Sequence, residues 1–187
     1  MPVLTSEQQK HKPKQSKIRY TEYYDLQSTF DGLYADSLNG KTFQSLMNLI
    51  ASEENIKLAY RTIKGNKGSG TPGVDKRTIK DLATLREEQF VQLIQKQFSW
   101  YTPRPVKRVE IPKPNGKTRP LGIPTIVDRM VQQCILQVLE PICEAKFHER
   151  SNGFRPNRST EHAIAQCCRL MQIQHLHYAV DIDIHGF

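Results

Sequence analysis

The chain has 187 residues and a formal net charge of +8, with 37% hydrophobic and 25% charged residues. This hydrophobic content excludes a wholly disordered chain and suits one domain, or one domain and a fragment. The excess of basic residues favours a polyanionic partner, nucleic acid before an anionic membrane. No apolar run could span a bilayer, and no secretory signal opens the chain. The four cysteines form no CxxC pair, which argues against structural zinc and favours free thiols in a cytoplasmic, bacterial or organellar-type intracellular setting.

The first half of the chain predicts helices joined by loops. Residues 1–17 are polar and basic, which indicates a mobile tail, and residues 18–37 suit a short helix or an irregular extension. Apolar spacing over residues 42–64 predicts one or two amphipathic helices, with a break near 51–55 where Ser52 could start the second.

Residues 65–75, GNKGSGTPGVD, must form a loop because they hold four glycines and a proline. The loop could wrap a phosphate or serve as a flexible connector, and it lacks the residue order of a nucleoside triphosphate P-loop. Residues 78–98 again predict a helix, and the two prolines within 101–105 then favour extended backbone.

The segment 106–124, VKRVEIPKPNGKTRPLGIP, predicts a β-hairpin. Two alternating stretches flank Asn115-Gly116, a strong turn signal. The prolines in both arms remove ladder donors, so the hairpin should project rather than sit inside a wide sheet. Its charge suits a polyphosphate, although a solvated basic hairpin protected from aggregation is an equal alternative from these residues alone. The basic residues of the hairpin are Lys107, Arg108, Lys113, Lys117 and Arg119.

Residues 126–147 show close to ideal helical periodicity, and Pro141 should kink or end the first helix. A solvated polar side is expected for most of its polar residues. These are Asp128, Arg129, Gln132, Gln133, Gln137, Glu140 and Glu144.

The next segment, GFRPNRS at 153–159, predicts a turn followed by a helix that Ser159 or Thr160 would cap. Arg155 and Arg158 precede that helix and form either a phosphate site or two solvated arginines. The predicted buried side of the helix consists of Ala163, Ile164, Cys167 and Leu170.

Residues 178–187, YAVDIDIHGF, predict a strand with Asp181 and Asp183 on one face. Aspartate is uncommon in strands, so the pair either faces solvent or binds a divalent cation such as Mg²⁺.

In order along the chain, these motifs resemble those of group II intron reverse transcriptases. IPKPNGKTRPLGIPTIVDR resembles the first fingers motif, GTPGVD an additional amino-terminal fingers motif, GFRPNRS the second fingers–palm motif, and DIHGF the first catalytic motif. The resemblance implies that Lys113 and Arg119 bind the triphosphate of the incoming deoxynucleotide. It implies that Asp183 is the catalytic, Mg²⁺-binding aspartate, whereas Asp181 has an indirect or structural role.

The resemblance further implies contacts to template or intron RNA from the remaining basic residues, which are Lys107, Arg108, Lys117, Arg155 and Arg158. The expected fold class is α+β: a mostly helical fingers subdomain with a projecting β-hairpin, and the first strand of a palm. The expected organisation is a basic extension over 1–37, fingers over 38–175 and the start of a palm over 176–187.

The predicted function is RNA-directed DNA polymerase and intron-splicing maturase, with intron RNA, an RNA template, a DNA primer and deoxynucleoside triphosphates as partners and no membrane. The alternatives are a non-catalytic basic RNA-binding module and a related retroelement reverse transcriptase. The 187 residues lack a Tyr-x-Asp-Asp turn, and the steric-gate aromatic would follow Phe187. The chain is therefore expected to be an amino-terminal part that binds RNA but does not polymerise by itself.

Overall fold

The computed structural model describes residues 19–114 and 116–184, so the predicted tail over 1–17 lies outside the described residues. The α+β class is confirmed, since helices dominate and the strands form one antiparallel hairpin. In chain order the elements are α1 (Tyr20–Tyr23), α2 (Gln27–Leu38), α3 (Leu46–Ile50), α4 (Glu53–Gly65), a 3-10 turn (Lys67–Gly70), α5 (Ile79–Leu82), α6 (Glu87–Ser99), β1 (Lys107–Pro112), β2 (Thr118–Ile123), α7 (Ile126–Glu144) and α8 (Thr160–Gln172).

The described chain divides into two compact units. The first comprises residues 19–30 and 45–138, and the second residues 31–44 and 139–184. Among the described residues, the buried hydrophobic ones all lie in the first unit, mainly on α4, α6 and the first part of α7. Apolar side chains at helical spacing on these three helices therefore supply the hydrophobic core.

The predicted break between the first two amphipathic helices is confirmed. The helix α3 ends at Ile50, and the Ser52 hydroxyl caps α4 by accepting a hydrogen bond from the Asn55 amide at 3.3 Å. Asn55 itself is fully buried, and its side-chain amide donates to the carbonyls of Ile50 and Cys134 at 2.9 and 3.0 Å.

The single helix expected over 78–98 is wrong, because α5 ends at Leu82 and α6 begins at Glu87. The Thr84 hydroxyl donates to the Asp81 carbonyl at 2.8 Å, and the Gln89 side chain accepts from the Arg86 amide at 3.4 Å. Local side-chain bonds of this kind compete with helix propagation, and here they favour an end and a new start.

The helix α7 corrects two expectations. It continues to Glu144, so Pro141 does not end it. Its polar side is not uniformly solvated, since Asp128 and Gln137 are buried. Gln137 donates to the Asn55 carbonyl and side-chain oxygen at 3.0 and 2.6 Å. Buried polar groups need such partners, and periodicity alone could not reveal them.

In the second unit, Ser159 precedes α8, as predicted, and its amide donates to Nδ1 of His162 at 3.1 Å. The predicted buried side of α8 is wrong for the described residues, because none of its residues is buried and Ile164 is 63% exposed. Amphipathic spacing selects one side of a helix, but burial also needs a packing partner.

The palm strand predicted over 178–187 is likewise not formed in its described part, because residues 178–184 are exposed and form no strand. A β-strand requires hydrogen bonds to a neighbouring strand, and the only sheet within 19–114 and 116–184 is the two-stranded hairpin. His185 lies outside the described residues. Among the described helices, none has the length and apolar character needed to cross a membrane.

Candidate nucleic-acid interface

A buried hydrogen-bond network anchors the base of the hairpin. The Thr125 hydroxyl, just after β2, donates to Asp128 at 2.6 Å and accepts from the Asp128 amide at 3.2 Å. The Tyr101 hydroxyl, shortly before β1, donates to the other Asp128 oxygen at 2.9 Å. Burial, and then this hydrogen bond, raises the pKa of Tyr101 above its ordinary value. Asp128 therefore connects both ends of the hairpin segment to the start of α7.

The glycine-rich loop over 65–75 is held against the same helix. The Arg129 guanidinium donates to the carbonyls of Gly68 and Thr71 at 2.9 and 2.5 Å, and burial lowers its pKa. A Cβ on Gly73 would lie only 2.8 Å from the Thr125 Cα, so this position has no space for a side chain. The loop therefore packs on the base of the hairpin, which speaks against a merely flexible connector.

The strand register assigns the hairpin residues to two faces. The pairs Lys107–Ile123, Val109–Leu121 and Ile111–Arg119 alternate with Arg108–Gly122 and Glu110–Pro120. Because directly opposed residues share a face, Lys107 and Arg119 lie on the more apolar face. Arg108 lies on the other face, where its Nε donates to Glu110 at 3.0 Å. The four charged side chains named here are exposed.

The hairpin turn lies between Lys113 and Lys117. The Lys113 amide donates to the Lys117 carbonyl at 2.6 Å, and the Gly116 amide donates to the Lys113 carbonyl at 3.0 Å. Gly116 has a positive φ of 76°, which suits the left-handed position that closes a three-residue hairpin loop. Asn115 lies outside the described residues. Lys113 and Lys117 are both exposed, at the end of the hairpin farthest from its anchored base.

Arg155 differs sharply from the hairpin residues, because its side chain is only 6% exposed. Its Nε donates to both oxygens of Glu144 at 3.1 and 3.0 Å, and its Nη1 donates to the carbonyls of His148 and Ser151 at 2.7 and 2.8 Å. The hydrogen bonds from Arg155 to the Glu144 carboxylate hold the pKa of Glu144 below its ordinary value. Arg155 thus fixes the loop between α7 and α8, and its hydrogen-bonding groups are largely occupied.

Arg158, the other arginine of the GFRPNRS motif, is exposed. It lines a cavity of about 320 Å³ together with Arg150 and Arg169, all within the second unit. The structure therefore separates the two arginines that the sequence pairs: Arg155 binds protein groups, and Arg158 faces open space.

Asp181 and Asp183 are both exposed, and one Asp183 oxygen accepts from the Ile184 amide at 2.9 Å. Within 19–114 and 116–184 no three His, Cys, Asp or Glu side chains come together in a way that could hold a metal ion. The described residues thus do not provide a ligand set that fits Mg²⁺.

Sequence reasoning missed the roles of Asp128 and Arg129, which appeared to belong to a solvated helix side. One signal was present, since Thr125 followed three residues later by Asp128 matches the spacing of a capping box at a helix start. No signal could have shown that Arg129 would bind the carbonyls of a distant loop.

Residues 111–187 match the model of the family described as reverse transcriptase (RNA-dependent DNA polymerase). The chain is 45% identical to Protein YkfC of Escherichia coli (strain K12) over 123 residues, which are 65% of this chain and 32% of that protein. It is 36% identical to the group II intron-encoded protein LtrA of Lactococcus lactis subsp. cremoris over 127 residues, 66% of this chain and 20% of LtrA. The putative COX1/OXI3 intron 2 protein of Saccharomyces cerevisiae is 28% identical over 170 residues, 90% of this chain and 19% of that protein.

The matched segment contains the whole hairpin turn, β2, α7 and α8, so this part of the chain is similar to the reverse transcriptase family. The similarity to LtrA and to the COX1/OXI3 intron 2 protein supports the class that the motifs predicted, a group II intron reverse transcriptase/maturase. The chain spans about a third or less of the length of these curated relatives.

Proposed function

We propose that this chain is the RNA-binding fingers region of an RNA-directed DNA polymerase that also assists the splicing of a group II intron. The observation that carries the proposal is the exposed basic hairpin, whose base is fixed by Asp128 and whose turn carries Lys113. A rigid base under a charged turn suits the positioning of a polyphosphate, because little backbone conformational freedom is lost on binding.

In this proposal Lys113 and Arg119 hold the triphosphate of a deoxynucleotide. The arginine fork can bind phosphate oxygens bidentately, whereas the lysine acts as a point charge. Both residues are exposed. Arg119 pairs across the hairpin with Ile111, and Ile111 precedes Lys113 by two positions on the other strand. Their charges would reduce repulsion among the phosphates and fix the orientation of the nucleotide.

RNA binding is assigned to exposed basic residues. These are Lys107, Arg108 and Lys117 on the hairpin and Arg158 before α8, whereas Arg155 acts by holding the loop in place. Phosphate neutralisation by such residues depends on salt, because it releases counterions from the nucleic acid. The proposed partners are the intron RNA and an RNA template with a DNA primer. The free cysteines favour a cytoplasmic or organellar interior.

Asp183 is the proposed catalytic and Mg²⁺-binding residue of the whole enzyme, where a divalent ion would lower the pKa of the primer hydroxyl. The ligand set within the described residues does not fit such an ion. We propose that the 187 residues alone do not polymerise. Incorporation of a labelled deoxynucleotide on an RNA template with a DNA primer by the pure chain would contradict this.

The proposed function is tested by measuring RNA affinity across a salt series, together with the affinity for a fluorescent deoxynucleoside triphosphate. We expect RNA affinity to fall steeply with salt. We expect Lys113→Ala/Arg119→Ala to weaken triphosphate binding at least about tenfold, which corresponds to the loss of one charge-assisted hydrogen bond. The matched control Arg77→Ala/Lys80→Ala also removes one arginine and one lysine, both exposed, and should bind like the wild type.

The outcomes separate the alternatives. Salt-dependent RNA binding without any triphosphate binding would favour the non-catalytic RNA-binding module. RNA binding that does not respond to salt, or no binding at all, would contradict the assignment of the basic residues to RNA.

A further inference from the structure

The cavity beside α8 is lined by more positive than negative side chains. Arg150, Arg158 and Arg169 line it, with Gln166 and a single acidic residue, Glu149. Within the described chain, none of these three arginines has a carboxylate oxygen within 4 Å, whereas Arg155 nearby is paired with Glu144. Three clustered guanidinium groups repel one another, so the arrangement becomes favourable when an anion binds among them.

Hydrogen bonds within the second unit also hold the residues around this cavity in place. The Asn152 side-chain amide donates to the Arg150 carbonyl at 3.1 Å and to Oε1 of Gln166 at 2.9 Å, which joins the loop after α7 to α8. Because Oε1 of Gln166 is used as an acceptor, the amide group of this side chain stays available as a donor. In the same loop, Arg155 donates hydrogen bonds to the carbonyls of His148 and Ser151. Arg155 and Asn152 therefore act as positioning residues.

We propose that Arg150, Arg158 and Arg169 form a groove that binds backbone phosphates of RNA. The inference rests on the proposed function and deepens it. It adds Arg150 and Arg169, which belong to no recognised motif, to the RNA-binding residues. It also assigns Arg155 to holding the loop in place rather than to contacting RNA. Arginine suits this task because its planar fork carries five donors and a permanent charge. The cavity of about 320 Å³ is open enough to admit a phosphate group with part of its sugar.

The test compares the full 187-residue chain with Arg150→Gln/Arg158→Gln/Arg169→Gln in a salt series with fluorescent RNA. Each phosphate contact to single-stranded RNA adds about 0.7 to the slope of log affinity against log salt, so we expect the slope to decrease by about two. The control Arg77→Gln/Lys80→Gln/Lys96→Gln removes three positive charges from other exposed positions and should keep nearly the wild-type slope. Glu149→Gln should strengthen binding, because it removes the acidic residue of the groove.

Triphosphate binding and the wild-type salt dependence show which ligand the groove binds and which of the two proposals fails. The groove variant should bind the fluorescent deoxynucleoside triphosphate like the wild type. A loss of triphosphate binding with unchanged RNA binding would overturn the groove as an RNA site. If wild type binds RNA with a salt-dependent affinity and the groove and control variants lose the same slope, the groove proposal fails and the proposed function stands. If wild type shows no salt-dependent binding, both fail. Circular dichroism with the wild-type helical signal shows that each variant is folded.

Discussion

Two polar regions of this chain look alike in sequence and differ in structure. The polar side of α7 and the basic hairpin both place charged or amide side chains at regular intervals. On α7, Asp128, Arg129 and Gln137 are bonded to other parts of the first unit. On the hairpin, Lys107, Lys113 and Arg119 are exposed. The first set stabilises the fold, and the second is available to a ligand.

The loop over 151–159 contains both kinds of residue within a single motif. Arg155 is bonded to Glu144 and to two carbonyls, whereas Arg158 lines an open groove three residues later. The partners of a basic residue, rather than its motif, therefore indicate whether it serves stability or binding. Substitutions should separate these two roles.

The largest effect on stability is expected from Asn55→Ala. Asn55 is fully buried, and its substitution removes the side-chain donor to the Ile50 and Cys134 carbonyls and one of the two acceptors of the Gln137 amide. We expect the free energy of unfolding to fall by about 3 kcal/mol, because buried polar groups without partners are costly. Urea denaturation measures this. The control Asn48→Ala changes an exposed asparagine and should cost less than about 0.5 kcal/mol. Equal losses would contradict the buried network.

Arg129→Gln should have the next largest effect. It removes the guanidinium bonds to the Gly68 and Thr71 carbonyls, and we expect a loss of about 1–2 kcal/mol in the free energy of unfolding. The loop over 65–75 should also become more sensitive to proteolysis, which mass spectrometry of the fragments would detect. Arg77→Gln, an exposed arginine in the same unit, is the control. An unchanged cleavage pattern in the variant would show that Arg129 does not hold the loop.

Arg155→Lys should lower the thermal midpoint by a few degrees at neutral pH, because lysine keeps the charge but loses the fork that binds Glu144. Since the folded pKa of Glu144 is lowered, its contribution is present above its ordinary value of 4.5 and is lost as the pH falls through the lowered value. The difference between wild type and variant should therefore shrink on acidification. Calorimetry at several pH values measures this, and Arg158→Lys should change little. A difference independent of pH would argue against the ion pair.

The smallest effect on stability is expected from Lys113→Ala/Arg119→Ala. Both side chains are exposed, so the free energy of unfolding should stay within about 0.5 kcal/mol of the wild type. Urea denaturation tests this on the same samples that are used for triphosphate binding. A large loss of stability would show that these residues stabilise the fold, as the polar residues of α7 do.

Much of the fold could be predicted from local patterns. The hairpin, the cap at Ser52, the start of α8 after Ser159 and the extent of α4 all follow from residues close together in sequence. The division of residues 78–98 into two helices also has a local cause, but a weak one, since a threonine hydroxyl bond decides it. The spacing of apolar residues does not reveal individual hydrogen bonds of this kind.

The rest depended on partners that are distant in sequence. The spacing in α8 predicts an apolar side, yet Ile164 is largely exposed because no described residue covers it. Spacing in α7 likewise predicts a solvated side, yet Asp128 is buried because Tyr101 and Thr125 supply its bonds. At the candidate site, the motif indicated Arg158, but only the packing of the loop placed Arg150 and Arg169 beside it.

The close approach of Gly73 to Thr125 has a consequence for how this region tolerates change. At 2.8 Å from the Thr125 Cα, even a methyl group would need the backbone of one partner to shift. Because glycine has no side chain, it allows the shortest distance between the loop and the base of the hairpin. A Gly73→Ala chain would transmit that displacement along β2 towards Arg119, so a residue that touches no ligand would control where the charges of the hairpin lie.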